Sequence, residues 1–294
     1  MPAMEIGLFA PLGNGNANAD ILRTLGREAE ASGFESIWVA EHVVMFDDYA
    51  SQYPYADDGR FPGGGDTGLL EPLTALTYLA AVTDRIRLGT GICLVPQRNP
   101  VYTAKQVVDL DNLSGGRVDF GIGVGWLKEE FDVLATPFAH RGARTDEYLQ
   151  VMRTLWTDDV SSFEGEHYQL PECRMYPKPV QSPHPPIHVG GESDAALRRV
   201  AKHGQGWYSF NRTPDDLDEP LARLDDLLAA EGRSRSDVQV TVCPYLQPMG
   251  DGAVDAYRDR GVDRLVVLCL GFDVDGLRSQ LDTLVTTVLE PARA

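Results

Sequence analysis

At 294 residues the chain can bury roughly three quarters of its unfolded surface in one large α/β unit without help from disulfides. Hydrophobic residues make up 43% and charged residues 24%, and no stretch approaches the roughly 20 apolar residues of a membrane helix. A formal net charge of −18 argues against nucleic acid as a partner, because phosphates attract basic surfaces.

The N-terminal MPAMEIGLFAPLG carries no basic run before its apolar segment and does not read as a signal peptide. The first strand is expected over residues 4–10, followed by a helix from about Asp20 to Gly33 with Ile21, Leu25 and Ala29 on one face. A second strand follows over 36–40, and Glu71-Pro72 opens the next helix, proline being tolerated at the first helical position. The third strand, 85–95, is interrupted by Gly89 and Gly91, and Asn99-Pro100 caps a helix that stops at Gly115-Gly116. A fourth strand spans 118–123, and residues 141–156 form a helix.

Between about residues 160 and 183 the alternation breaks in a proline- and aromatic-rich segment that reads as an insertion holding one hairpin. Four more strands, at 186–190, 206–210, 238–245 and 264–270, are each followed by a helical segment. Eight strands, each followed by a helix, point to an α/β fold, a (βα)8 TIM barrel with an insertion between strands 4 and 5. The rival is a doubly wound sheet with two lobes, but no change of composition marks a second domain, so residues 1–294 are taken as one. Cys93, Cys173, Cys243 and Cys269 lie far apart with no CxxC pair, as reduced thiols in a cytoplasmic protein do.

In such a barrel the chemistry sits on the loops that follow the strands. After strand two stands Glu41-His42, an ionisable pair in which the histidine can act as acid, base or hydrogen-bond donor near neutral pH, with Glu41 fixing its ring. His188 lies within a strand and reads as a packed ring. After strand three, Gly89 and Gly91 allow a bulge or a close approach to the backbone. After strand four, Gly121, Gly123 and Gly125 resemble a dinucleotide fingerprint but follow the wrong strand; they read as room for a flat ring system bordered by Trp126. After strand five, Gly190, Gly191, Glu192 and Ser193 open a helix whose free N–H groups suit a phosphate. HExxH, GxSxG and Walker motifs are absent, as is a metal-binding pair at a strand end, which removes the parts for metal hydrolysis and serine chemistry. The aromatic, glycine-rich segment from about 43 to 70 reads as a lid or a substrate-selecting wall.

Taken in order, IWVAEHV, RLGTGICLVPQRNP, LSGGRVDFGIGVGW and PIHVGGESDAALRRVAKHGQGW resemble the bacterial-luciferase-like superfamily, over about residues 4–207. The resemblance implies a barrel binding the deazaflavin coenzyme F420 or FMN, with His42 touching the ring or substrate. It also implies a non-prolyl cis peptide at Gly91-Ile92 behind the ring, and a cofactor phosphate at Gly190, Gly191 and Ser193. Luciferase itself carries a reactive cysteine and a phosphate-binding arginine where Gly123 and Val124 stand, a departure that favours coenzyme F420 over FMN. Trp126 occupies the place of the catalytic glutamate of the related deazaflavin sugar-phosphate dehydrogenases. The expected activity is hydride transfer between the deazaflavin and a small organic substrate, with Trp126 and Ile92 walling the ring and a homodimer as the assembly. The alternatives are an FMN-dependent monooxygenase using O2 and a flavin-binding protein without catalysis.

Overall fold

A computed structural model describes residues 4–293; residue 294 and the first three residues, parts of the expected 1–294 domain, lie outside the described residues. Eight parallel strands form the barrel: β1 (Glu5–Phe9), β2 (Ser36–Val39), β3 (Arg87–Thr90), β4 (Val118–Gly123), β5 (Ile187–Gly190), β6 (Gly206–Phe210), β7 (Gln239–Cys243) and β8 (Arg264–Leu268). They pair in chain order; β1 also pairs with β8, as Glu5 with Arg264, and β3 with β4, as Gly89 with Asp119, so the sheet closes. Eight main helices lie between and after the strands: α1 (Ala19–Ser32), α2 (Pro72–Val82), α3 (Pro100–Ser114), α4 (Arg141–Thr157), α5 (Asp194–His203), α6 (Asp218–Ala230), α7 (Ala253–Arg258) and α8 (Val274–Leu284). The architecture is a (βα)8 TIM barrel.

The caps follow the sequence chemistry. Asn18 accepts from Asp20 N and Ile21 N at the start of α1, and Gly33 ends it at φ 88°, a left-handed conformation that a Cβ disfavours. Glu71 caps α2 and Asn99 caps α3, each followed by proline at the first helical position. The expected third strand is split. It runs over β3, breaks at a cis peptide between Gly91 and Ile92, and resumes as Cys93–Leu94, which pair with Ile122 and Gly123 of β4. Residues 160–183 hold the antiparallel hairpin Ser161–Glu164 with Gln169–Cys173, outside the barrel sheet. Glu147 of α4 holds its turn by accepting from Glu166 N (2.9 Å) and His167 N (2.8 Å).

The barrel interior near the N-terminal ends of the strands is filled by charge as well as hydrocarbon. Trp38 lies fully buried there, and a Cβ at Gly89 would sit 2.3 Å from its indole, so what approaches the backbone closely at Gly89 is a tryptophan of the same core. Below it Asp119 accepts from Arg87 Nε (2.9 Å) and Nη2 (2.5 Å) and faces Arg264 Nη2 at 3.4 Å. His188 is packed as expected, edge-on to Trp38 and 3.5 Å from Asp119. Burial alone would raise the Asp119 pKa; the two arginines and His188 outweigh it and hold the carboxyl well below the ordinary range.

Candidate active site

At the C-terminal ends of the strands opens a cavity of about 1230 Å³. The structure brings eleven of the rim residues singled out above to it: Glu41 and His42 after β2, Gly91 and Ile92 after β3, Gly123, Gly125 and Trp126 at and after the end of β4, and Gly190 to Ser193 at and after the end of β5. Gly89 and Gly121 lie deeper, packed against Trp38. Four strand ends far apart in sequence converge because barrel closure places their loops on one face.

His42 is largely enclosed, edge-on to Trp126 (ring centroids 5.8 Å apart) and to Phe61 (5.6 Å). Glu41 does not act on it. Its buried carboxylate accepts from Leu94 N (2.6 Å) and Arg98 Nε (2.8 Å), and Arg98 also bonds Glu71 (2.6 Å). This corrects the expected pairing of Glu41 with the histidine: adjacent residues leaving a strand turn to opposite sides, so Glu41 ties the third rim segment to α2. The group that does meet the ring is Glu130, on a short helix (Lys128–Val133) that follows the β4 loop. Its Oε2 lies 3.1 Å from His42 Nδ1 and accepts from Gln97 Nε2 at 2.9 Å.

The glycines act less directly than expected. A Cβ at Gly123 would come within 2.0 Å of Ile92 Cδ1, and one at Gly190 within 2.8 Å of the same atom. The first occupant of the room they leave is therefore the Ile92 side chain, laid between β4 and β5 to form the cavity floor. Beneath Gly91 the buried Tyr208 hydroxyl lacks a hydrogen-bond partner among the described residues, an uncommon state for a polar atom in a core. Burial, chiefly, pushes its pKa far up, so it remains a neutral donor.

At the other end, Gly191 takes φ 105°, and Trp207 Nε1 donates to its carbonyl (2.9 Å). Ser193 Oγ caps α5 by accepting from Ala196 N at 3.2 Å. Glu192 turns back toward the barrel, accepting from Phe210 N (2.8 Å) and Ser209 Oγ (3.1 Å); burial outweighs these bonds and raises its pKa. Arg141, at the start of α4, faces the same corner. Its Nε donates to Gly125 O (3.0 Å) and its guanidinium lies over the Phe138 ring, while its Nη atoms make no hydrogen bond among the described residues. Arg199 lines the corner too, held by Asp146 (2.5 Å). Neither Glu130 nor the arginines stood out in sequence. The available signals were the carboxylate pair Glu129-Glu130 just after the glycine-rich turn and the two arginines Arg141 and Arg144 opening a helix.

The 43–70 segment walls the cavity through Tyr53, Tyr55 and Phe61. Tyr53 packs on Trp126 (5.2 Å) and Phe61 (5.3 Å), and Tyr55 on Phe210 (5.0 Å). Glu129 pins the segment by accepting from Ala50 N (2.7 Å) and Ser51 Oγ (2.7 Å).

Residues 4–259 match the family described as luciferase-like monooxygenase. The chain belongs to that family. An uncharacterised protein of Mycobacterium tuberculosis strain H37Rv is 34% identical over 265 residues, covering 88% of this chain and 90% of that one. The FMNH2-dependent dimethylsulfone monooxygenase of Pseudomonas putida is 32% identical over 77% of this chain and 58% of its own length. Among solved structures, an F420-dependent secondary alcohol dehydrogenase in complex with an F420–acetone adduct superposes with a TM-score of 0.75 at 18% identity, covering 98% of each chain. Luciferase-like proteins of this kind are oxidoreductases or monooxygenases, and this chain is such an enzyme. Among its described residues no helix is long and apolar enough to cross a membrane.

Proposed function

We propose that this luciferase-like enzyme binds coenzyme F420 and transfers a hydride between it and a small organic substrate. The observation that carries the reading is one cavity that joins a floor built on Ile92 to a corner of hydrogen-bond donors left unpaired among the described residues. Ile92, Gly91 and the β4 glycines form the floor, and Gly191, Ser193, the N-terminus of α5 and Arg141 form the corner. The residues fit the group: the Arg141 Nη atoms and the first N–H groups of α5 are donors aimed where a phosphate would lie. Burial, and then repulsion from Arg144, push the Arg141 pKa down, a conflict that a bound anion would relieve. Val124 and Gly123 supply neither the thiol nor the guanidinium of luciferase, which supports the deazaflavin over FMN.

When bound, a deazaflavin supplies a hydride donor or acceptor at its C5. His42 then orients the substrate and holds or moves its proton. Trp126, Tyr53 and Phe61 exclude water and present an apolar wall to the substrate. FMN chemistry with O2 is the second reading, favoured by the similarity to the dimethylsulfone enzyme. The reading extends to a single domain over residues 1–294, cytoplasmic action and a homodimer through the early helices. Tyr102 and Leu113 of α3 stand exposed there, and light scattering tests the dimer.

Fluorescence titration with the two cofactors separates the readings. Coenzyme F420 is expected to bind and FMN to bind far more weakly; tight FMN binding with none of F420 overturns the proposal. Arg141→Met is expected to raise the F420 Kd about 10- to 100-fold, the worth of a charge-assisted hydrogen bond of ~1.5–3 kcal/mol.

A further inference from the structure

We infer that Glu130 decides which nitrogen of His42 faces the cavity, because its second oxygen is held by the main chain of the cavity wall. Glu130 is fully buried, and each of its neighbours is a donor or, for His42, can be one. Val43 N donates to Oε1 at 2.6 Å, with Val44 N at 3.4 Å. Gln97 Nε2 donates to Oε2 at 2.9 Å, and His42 Nδ1 lies 3.1 Å from the same oxygen.

A carboxylate in this place only accepts, so Nδ1 carries the ring proton. Burial would raise the Glu130 pKa, but the bonds from His42, Gln97 and Val43 outweigh it and leave the group ionised. The ring lines the cavity, and its Nε2 has no protein partner among the described residues. In the neutral ring Nε2 is then an acceptor, the state a base needs. Glu130 does not line the cavity and acts through His42; it is a positioning residue.

The two oxygens of Glu130 are not equivalent, and that makes the inference testable. Val43 N is a main-chain donor that cannot reverse. A glutamine at position 130 must therefore keep its carbonyl toward Val43 and turn its NH2 toward His42 and Gln97. Gln97 can adapt by an amide flip, since its buried Oε1 has no partner among the described residues. His42 can adapt only by accepting at Nδ1 and moving its proton to Nε2. Glu130→Gln thus reverses the histidine from acceptor to donor in a cavity of unchanged shape. The same carboxylate anchors the first residues of the 43–70 wall, so wall and tautomer are set together.

The test is a two-bond 1H–15N correlation spectrum of 15N-histidine-labelled protein without cofactor, recorded at alkaline pH. The His42 signal is assigned by its loss in His42→Gln. Wild type is expected to show a protonated Nδ1 and a bare Nε2, and Glu130→Gln the reverse. A wild-type spectrum with the proton on Nε2, or a Glu130→Gln spectrum unchanged from wild type, overturns the inference. If Glu130→Gln does not fold, the wild-type spectrum still decides it. Gln97→Met, which leaves the carboxylate in place, is expected to keep the wild-type tautomer, and a reversal there overturns it too. Only the consequence for turnover rests on the proposed function. Titration of both proteins with coenzyme F420 separates the two, because absent binding defeats that function while the spectra still report the tautomer.

Discussion

Asp119→Ala is expected to destabilise the fold by about 3–5 kcal/mol, the loss that follows when one partner of a buried ion pair is removed. Asp119 and Arg264 are each only 2% exposed in the side chain, and Arg87 and His188 share the same carboxylate. Removing it leaves Arg264 charged, enclosed and facing Trp38, with only Glu35 and Glu5 on its outer side. Urea denaturation of the variant and of Asp119→Asn checks this; a loss below about 1 kcal/mol for the alanine variant would show that water reaches the cluster. The pH dependence has a definite sign. The folded-state pKa of Asp119 is depressed, so its stabilising contribution is fully present above its unfolded value of ~3.9 and is lost as pH falls below that. Wild type should lose stability steeply below about pH 4, and Asp119→Asn, which cannot ionise there, should lose less over the same range.

His42→Ala is expected to lower kcat/KM about 10²- to 10⁴-fold, the usual contribution of a positioned acid or base. Its cofactor Kd should change little, because the corner proposed for the cofactor phosphate is that of Gly191, Ser193 and Arg141, which line the cavity with it. Steady-state turnover followed through the deazaflavin absorbance measures the first, and the fluorescence titration the second. Turnover within threefold of wild type would mean that His42 only packs against Trp126 and Phe61. A large rise in Kd with kcat unchanged would place it in cofactor binding instead.

Much of the site was legible because a barrel makes function local. Once the strands are counted, the residues after each strand are known from sequence alone, and eleven of the rim residues singled out after β2 to β5 line one cavity, Gly89 and Gly121 lying deeper. Their tasks were less legible. In sequence Gly123 reads as room for a ring and Gly190 as part of a phosphate site, yet the missing Cβ atoms of both first admit Ile92. Adjacency in sequence points Glu41 to His42, but a strand end turns the two apart. The true partner, Glu130, lies 88 residues away and is brought in by a six-residue helix too short for a clear periodic signal.

What the sequence determined by itself are the features that depend on a few neighbouring residues. These are the alternation of strand and helix, the caps at Asn18, Glu71, Asn99 and Ser193, and the glycines that let the rim approach closely. Each follows from local backbone sterics and short-range hydrogen bonds, which a sequence writes directly. Tertiary structure alone decided which charges meet: Asp119 with Arg87 and Arg264, Glu130 with His42, Glu41 with Arg98, and Arg141 with the corner at Gly191. The register of the closed sheet and the path of the rim loops set those pairings. Both emerge from the packing of the whole chain, and no local pattern of residue types encodes them.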